Sequence, residues 1–163
     1  VPYPPDYGGV FDLYYKLKNL YQLGIKIHLH CFEYGRGKQP VLNEFCESVS
    51  YYERLTGHQG LSFKIPFIVS SRANVHLEKN LHQNDWPVLL EGIHCTYLLS
   101  TGQLKNRKAI IRLHNIEHEY YNGLCRSTHS TIRKLYYWNE SRLLKKYERE
   151  VALKADLIIA VSE

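Results

Sequence analysis

Methionine is absent from the 163 residues. A chain without an initiator residue reads as one that starts inside a longer polypeptide. Paired cysteines are missing as well: Cys31, Cys46, Cys95 and Cys125 are far apart, and no C-x-x-C occurs. That spacing argues against a disulfide framework and against a cysteine zinc site. It predicts reduced, mostly buried thiols in a cytoplasmic protein. No apolar run approaches the roughly 18 residues of a membrane span, and there is no secretory signal. Internal repeats and low-complexity tracts are also lacking, which excludes solenoids and long disordered linkers.

What remains has a globular composition. Hydrophobic residues make up 44% and charged residues 23%, a balance that separates the chain from disordered polypeptides. The length predicts one domain with a real core. The net charge is +5, and much of the excess lies toward the C-terminus, in Arg133, Lys134, Arg142, Lys145, Lys146 and Arg149. A basic face attracts phosphates, anionic lipid or nucleic acid. With Glu148 and Glu150 interspersed, it also fits an ordinary solvated helix face. No nucleic-acid motif accompanies the charge, so nucleic acid is not an expected partner. An anionic membrane surface is retained as one, which would place the protein at the inner face of the membrane.

The chain alternates helical and strand-like patterns. Val1 to Asp6 is a proline-set extended entry. After Gly8-Gly9, the residues Val10, Leu13, Tyr14, Leu17, Leu20 and Tyr21 form a stripe of helical period that Gly24 ends. Strands are expected at residues 25–32, 49–52, 88–91, 109–113 and 156–161. Short helices are expected at 41–46, 61–72 (kinked or reopened at Pro66), 75–83 and 94–101. The longest helix should span 131–153, burying Ile132, Leu135, Tyr136, Leu143, Tyr147 and Val151. Such alternation predicts an α/β fold, a Rossmann-like doubly wound parallel sheet with helices on both faces. Residues 25–32, 88–91, 109–113 and 157–161 should share one sheet.

In open α/β sheets ligands bind beyond the carboxyl ends of the strands. Two strand ends carry chemistry here. Glu91-Gly92-Ile93-His94 follows one, and Arg112-Leu113-His114-Asn115-Ile116-Glu117-His118 follows the next. Gly92 allows close backbone approach, and His94 would sit at the rim or cap the following helix. A neutral imidazole and an asparagine amide both donate and accept, which suits sugar hydroxyls. Gly8-Gly9 opens a helix whose first N–H groups favour phosphate, although a tight turn explains two glycines equally well. His28 and His30 alternate along a strand and read as packed or solvent-facing rather than as ligands. His114-x-x-Glu117-His118 also matches the H-x-x-E-H zinc pattern. That alternative, a zinc hydrolase, needs both histidines on one helical turn and a further ligand downstream.

Together these pieces resemble the N-terminal domain of the family 4 glycosyltransferases, which share the two-domain GT-B fold. The resemblance covers nearly all of the chain. It rests on Pro2-Tyr3-Pro4-Pro5-x-x-Gly8-Gly9, Glu91-Gly92-Ile93-His94 and Arg112-Leu113-His114-Asn115-Ile116-Glu117. A lysine-rich helix then leads into Ala155-Asp156-Leu157-Ile158-Ile159-Ala160-Val161-Ser162-Glu163. The resemblance implies that residues 1–163 are the acceptor-side domain of an enzyme whose first strand and C-terminal, donor-binding domain lie elsewhere. It implies a retaining, hexosyltransferase-type reaction in polysaccharide biosynthesis, from a nucleotide-sugar donor to a glycan or lipid-linked acceptor. No metal or separate cofactor is implied. By the same resemblance His114 is the catalytic-site histidine that reaches the donor sugar. Gly8 and Gly9 lie near the donor phosphates, and Glu91, Gly92, His94, Asn115 and Glu117 line the cleft. A non-catalytic Rossmann-like binding module would keep the fold and drop the reaction.

Overall fold

A computed structural model describes residues 1–33, 35–104 and 107–161. Tyr34, two residues of the basic loop (Lys105 and Asn106), and Ser162 and Glu163 of the closing motif lie outside the described residues. The chain forms two compact units, Val1–Arg54 and Leu55–Glu163.

The first unit opens with helix α1, Gly8–Gln22, which buries Val10, Tyr14 and Leu17 as its period requires. Strand β1, His28–Glu33, pairs in parallel with β2, Ser48–Glu53, from His28↔Ser48 to Glu33↔Glu53. A 3-10 turn at Pro40–Glu44 stands where the short helix at 41–46 was expected. Tyr14, Leu17, Leu42 and Cys46 form this unit's core. His28 is exposed, with Nδ1 2.8 Å from Ser48 Oγ, and His30 is partly buried, with Nδ1 2.7 Å from the Tyr52 hydroxyl.

In the second unit, α2 is Phe67–Ser70 and α3 is Val75–Leu81. Pro66 caps α2 instead of sitting inside a longer helix, so the expected helix at 61–72 shrinks to one turn. Strand β3 is Val88–Glu91. A 3-10 turn, Ile93–Cys95, and α4, Tyr97–Ser100, follow it. Strand β4 is Ala109–Leu113. Helices α5, Glu117–Ser127, and α6, Thr131–Ala152, pack as a hairpin before β5, Leu157–Ala160. The sheet order is β3-β4-β5, all parallel. Parallel neighbours need crossovers, and the helical segments supply them. The fold is mixed α/β with parallel strands, consistent with a Rossmann-like architecture.

Three expectations are corrected. The strand near 25–32 does not share a hydrogen-bonded sheet with the other three: among the described residues β1 pairs with β2, and β3, β4 and β5 form a second sheet. The helix α5 was not foreseen. The buried side of α6 differs from the expected stripe as well. Glu140, Leu144, Tyr147 and Val151 are buried, whereas Ile132, Leu135 and Tyr136 are exposed. Over Glu140 to Val151 the inward positions recur at helical spacing, so a glutamate occupies a place that hydrophobicity alone would not assign.

Leu90, Ile93, Leu98, Leu99, Ala109, Ile111, Leu144 and Val151 pack into the second unit's core. Each large aliphatic side chain there contributes about 1.5–3 kcal/mol of burial. The closing motif has a structural reason. Asp156 accepts the Ala109 N–H at 2.8 Å while its own N–H donates to the Ala109 carbonyl at 2.9 Å, fixing the start of β5 beside β4. That backbone N–H, with Lys108 at 3.2 Å, holds the Asp156 carboxyl below the usual carboxylate range. All four cysteines are free; Cys31, Cys46 and Cys125 are buried. Burial pushes the Cys31 and Cys46 thiols up to about 11, so neither is a ready thiolate. No helix among the described residues is long and apolar enough to cross a membrane.

Candidate functional site

The strongest cluster lies at the carboxyl ends of β3 and β4. Parallel pairing sets Glu91 opposite Arg112. Side chains alternate along a strand, so His114, two residues further on, returns to the side that Arg112 occupies. The three meet there. His114 Nε2 lies 3.3 Å from Glu91 Oε2, and Arg112 Nη1 lies 3.5 Å from the same oxygen. Arg112 Nη1 is also 3.3 Å and 3.4 Å from the two ring nitrogens of His114. All three side chains are largely shielded, with His114 the most open at 30% exposure. An imidazole held by a carboxylate and a guanidinium, yet open on one side, is suited to orienting a polar ligand. Arg112 was quoted in the strand-end motif but not singled out as a site residue. The signal for it is the i, i+2 spacing to His114.

The backbone beyond β3 has a distinct geometry. Gly92 donates its N–H to the Arg112 carbonyl at 2.8 Å, extending the ladder by one residue. It then turns with φ 87° and ψ 158°, a region essentially reserved for glycine. A Cβ on Gly92 would lie 2.6 Å from His94 Cε1 and 2.8 Å from Nδ1. His94 therefore packs over Gly92 at the rim of the cluster. Gly92→Ala is expected to cost about 2 kcal/mol from the backbone alone, and the His94 ring must move. Urea unfolding of this variant, with the His94 ring resonances followed by NMR, checks both effects. An unchanged midpoint would remove the strain argument.

Beyond His114 the chain runs through Asn115 into α5. Ile116 is the N-cap and offers no side-chain cap. The cap comes from α6: Glu148 accepts the His118 N–H at 3.1 Å, and its other oxygen lies 2.5 Å from His118 Nδ1. Ser141 Oγ donates to the His118 carbonyl at 2.8 Å. Glu117 is half-buried. Burial pushes its carboxyl above the usual range; a hydrogen bond from Asn115 opposes that, and the nearby Glu148 adds to it. A second α6 carboxylate, Glu140, accepts the Phe67 N–H at 2.7 Å and so caps α2. Burial raises its pKa above the ordinary glutamate value.

This geometry separates the two histidines of the zinc pattern. His114 faces Glu91 and Arg112, whereas His118 is engaged by Glu148. No group of three potential metal ligands occurs among the described residues. Purified protein is expected to carry no stoichiometric zinc, and a chelator should leave its thermal midpoint unchanged. One zinc per chain, lost on His118→Ala, would restore the hydrolase reading.

Gly8 and Gly9 belong to the first unit, where they open α1 without a side-chain cap from Tyr7. Neither has positive φ, and a Cβ at either would meet nothing within 4 Å among the described residues. The chain entering this helix is tied down by Arg36, which donates to Asp6 at 2.7 Å and to the Pro4 carbonyl at 2.9 Å.

Comparison with known proteins gives one informative similarity. The chain is 25% identical over 169 residues to an uncharacterized 44.6 kDa protein in the cps region of Klebsiella pneumoniae. That alignment covers 99% of this chain and 43% of the relative, so the chain spans less than half of the relative's length. No family model matches the chain. No solved structure matches it.

Proposed function

We propose that this chain is the acceptor-side half of a glycosyltransferase that moves a sugar from a nucleotide-sugar donor to a glycan or lipid-linked saccharide. The reading rests chiefly on the Glu91–Arg112–His114 cluster at the carboxyl ends of adjoining parallel strands, where α/β folds bind ligands. The distant relative named for its place in a cps region lends loose support to a polysaccharide-related role. In this reading His114 positions the transferred sugar, held by Glu91 and Arg112, while Asn115, Glu117 and His94 line the cleft. Gly8 and Gly9 take the donor phosphates.

The chemistry asks for these groups. Breaking the bond between sugar and diphosphate builds positive charge on the sugar ring and leaves negative charge on the phosphate. Orientation and charge stabilisation serve that step better than a strong base does. The test is ligand binding followed by turnover. By saturation-transfer NMR the 163-residue chain should bind a nucleotide-sugar weakly. It should transfer none without the donor-binding half. Failure of every common nucleotide-sugar to bind, with no sugar transfer by the complete protein, would leave the binding-module reading in its place.

A further inference from the structure

We infer that a cavity at the amino ends of β4 and β5 binds a nucleoside monophosphate, at the end of the sheet opposite the Glu91–Arg112–His114 cluster. The cavity has a volume of about 600 Å³, within the roughly 300–1,000 Å³ of small-molecule sites. Leu99 and Leu104, both buried, give it an apolar wall, and Arg107, Lys108, Lys154 and Asp156 give it charge. All of these residues belong to the second unit.

The charges do not cancel. Lys108 is paired with Asp156 at 3.2 Å. Among the described residues Arg107 and Lys154 form no ion pair, and their hydrogen bonds go to neutral groups. Arg107 donates to the Trp86 carbonyl at 2.9 Å, to Asn84 Oδ1 at 3.0 Å and to the Leu81 carbonyl. Lys154 donates to the Ser100 carbonyl. Leu81 and Ser100 are the last residues of α3 and α4, so both cations cap helix ends. Each such end carries at most about half a negative charge, and both helices are short. Asp85 is exposed and acts on Arg107 only at longer range. The cavity therefore keeps a positive excess. It keeps donors as well, because these bonds use four of the five Arg107 N–H groups and one of the three on Lys154.

That combination selects the ligand. Two cations on separate segments suit a phosphate monoester, which offers three terminal oxygens and a charge of about −1.5 to −2. A carboxylate has a single charge to share between them. The apolar wall selects what the phosphate carries. A sugar ring would set hydroxyls against Leu99 and Leu104, whereas a purine or pyrimidine lays a flat apolar face on them. The inference stands on this cavity alone and does not depend on the sugar-transfer reading.

The test uses the 163-residue chain with uridine monophosphate, adenosine monophosphate, ribose 5-phosphate, inorganic phosphate and uridine as probes. Affinity is read by calorimetric titration, and position by the amide resonances of Gly102, Ala155 and Asp156. We expect at least one of the two monophosphates to bind and to shift those amides. Ribose 5-phosphate, inorganic phosphate and uridine should each bind at least roughly tenfold more weakly, since each lacks one half of the recognition. Lys154→Gln keeps an amide that can donate to Ser100 but loses the charge. It should weaken binding by roughly tenfold, the scale of one charged hydrogen bond, with an unchanged circular dichroism spectrum. Lys154→Arg should retain binding, which separates loss of charge from loss of the side chain. Absence of binding by both monophosphates overturns the proposal. So does equal binding of ribose 5-phosphate or inorganic phosphate, or binding that Lys154→Gln leaves intact. Shifts at Gly92 and His114 in place of Gly102 and Ala155 would put the nucleotide at the other end of the sheet and overturn it too.

Discussion

On the proposed sugar-transfer reading, His114→Ala in the complete protein is expected to lower transfer by about 10²-fold, the size of effect that loss of a positioning contact produces. The ring is the most open member of a three-residue cluster and carries the polar edge that a sugar hydroxyl could meet. If His114 acts by orientation, kcat should fall more than KM rises. Glu91→Gln should then give a smaller loss of the same kind, because it leaves the imidazole in place and replaces only the carboxylate that His114 and Arg112 share. Steady-state kinetics of the two variants separate these outcomes. Unchanged turnover in His114→Ala would remove the residue from the mechanism and leave Gly8 and Gly9 as the site to examine.

Glu140 should give the largest stability effect on α6. It is 3% exposed, and its carboxylate accepts the N–H of Phe67, the first residue of α2. Glu140→Ala strands that donor and opens a space beside the core, for an expected loss of about 2–3 kcal/mol. Glu140→Gln behaves differently, because the amide oxygen still accepts from Phe67 and the buried charge is gone. The pH dependence distinguishes the two causes. Burial holds the folded-state pKa of Glu140 above its unfolded value. Between those two values the native state keeps a proton that the unfolded chain has released. Stability therefore falls as pH rises through that window and is regained on acidification. Glu140→Gln should flatten this slope and match or exceed the native protein at neutral pH. Glu117 is also raised by burial and contributes with the same sign, so the difference between native and Gln variant isolates Glu140. Urea midpoints from mildly acidic to neutral pH provide the measurement. An unchanged midpoint in Glu140→Ala would show that the cap contributes nothing.

The strands were legible because their apolar runs are short, dense and bounded by turn residues. Val88–Glu91 and Ala109–Leu113 fall where the pattern puts them. Helix α1 was legible for the same kind of reason, with two glycines opening it and an apolar stripe within it. Helix α5 was not, because Ile116 gives no capping signal and the cap arrives from Glu148, 30 residues away. The α6 stripe was misread because a buried glutamate looks like a surface residue until its partner, 73 residues distant, is known. Similarly, β1 was assigned to the wrong sheet because a parallel partner cannot be read from apolar content alone. At the site, the strand-end rule pointed to Glu91 and His114, whose side chains lie 3.3 Å apart. Arg112 was passed over because it lies within β4, before the strand end on which the reading concentrated.

The two carboxylates of α6 have a further consequence for local opening. The first N–H groups of a helix have no partner within it, so the amides of Phe67 and His118 would ordinarily exchange quickly with solvent. Here each is held by a glutamate of α6. Tyr147 of the same helix also lies 2.8 Å from Thr96 Oγ1, just before α4. One long helix thus anchors three segments far apart in sequence, and they should open together when it lifts away. In hydrogen–deuterium exchange, the Phe67 and His118 amides should be protected far beyond their positions in the ladder and should lose that protection at one common rate.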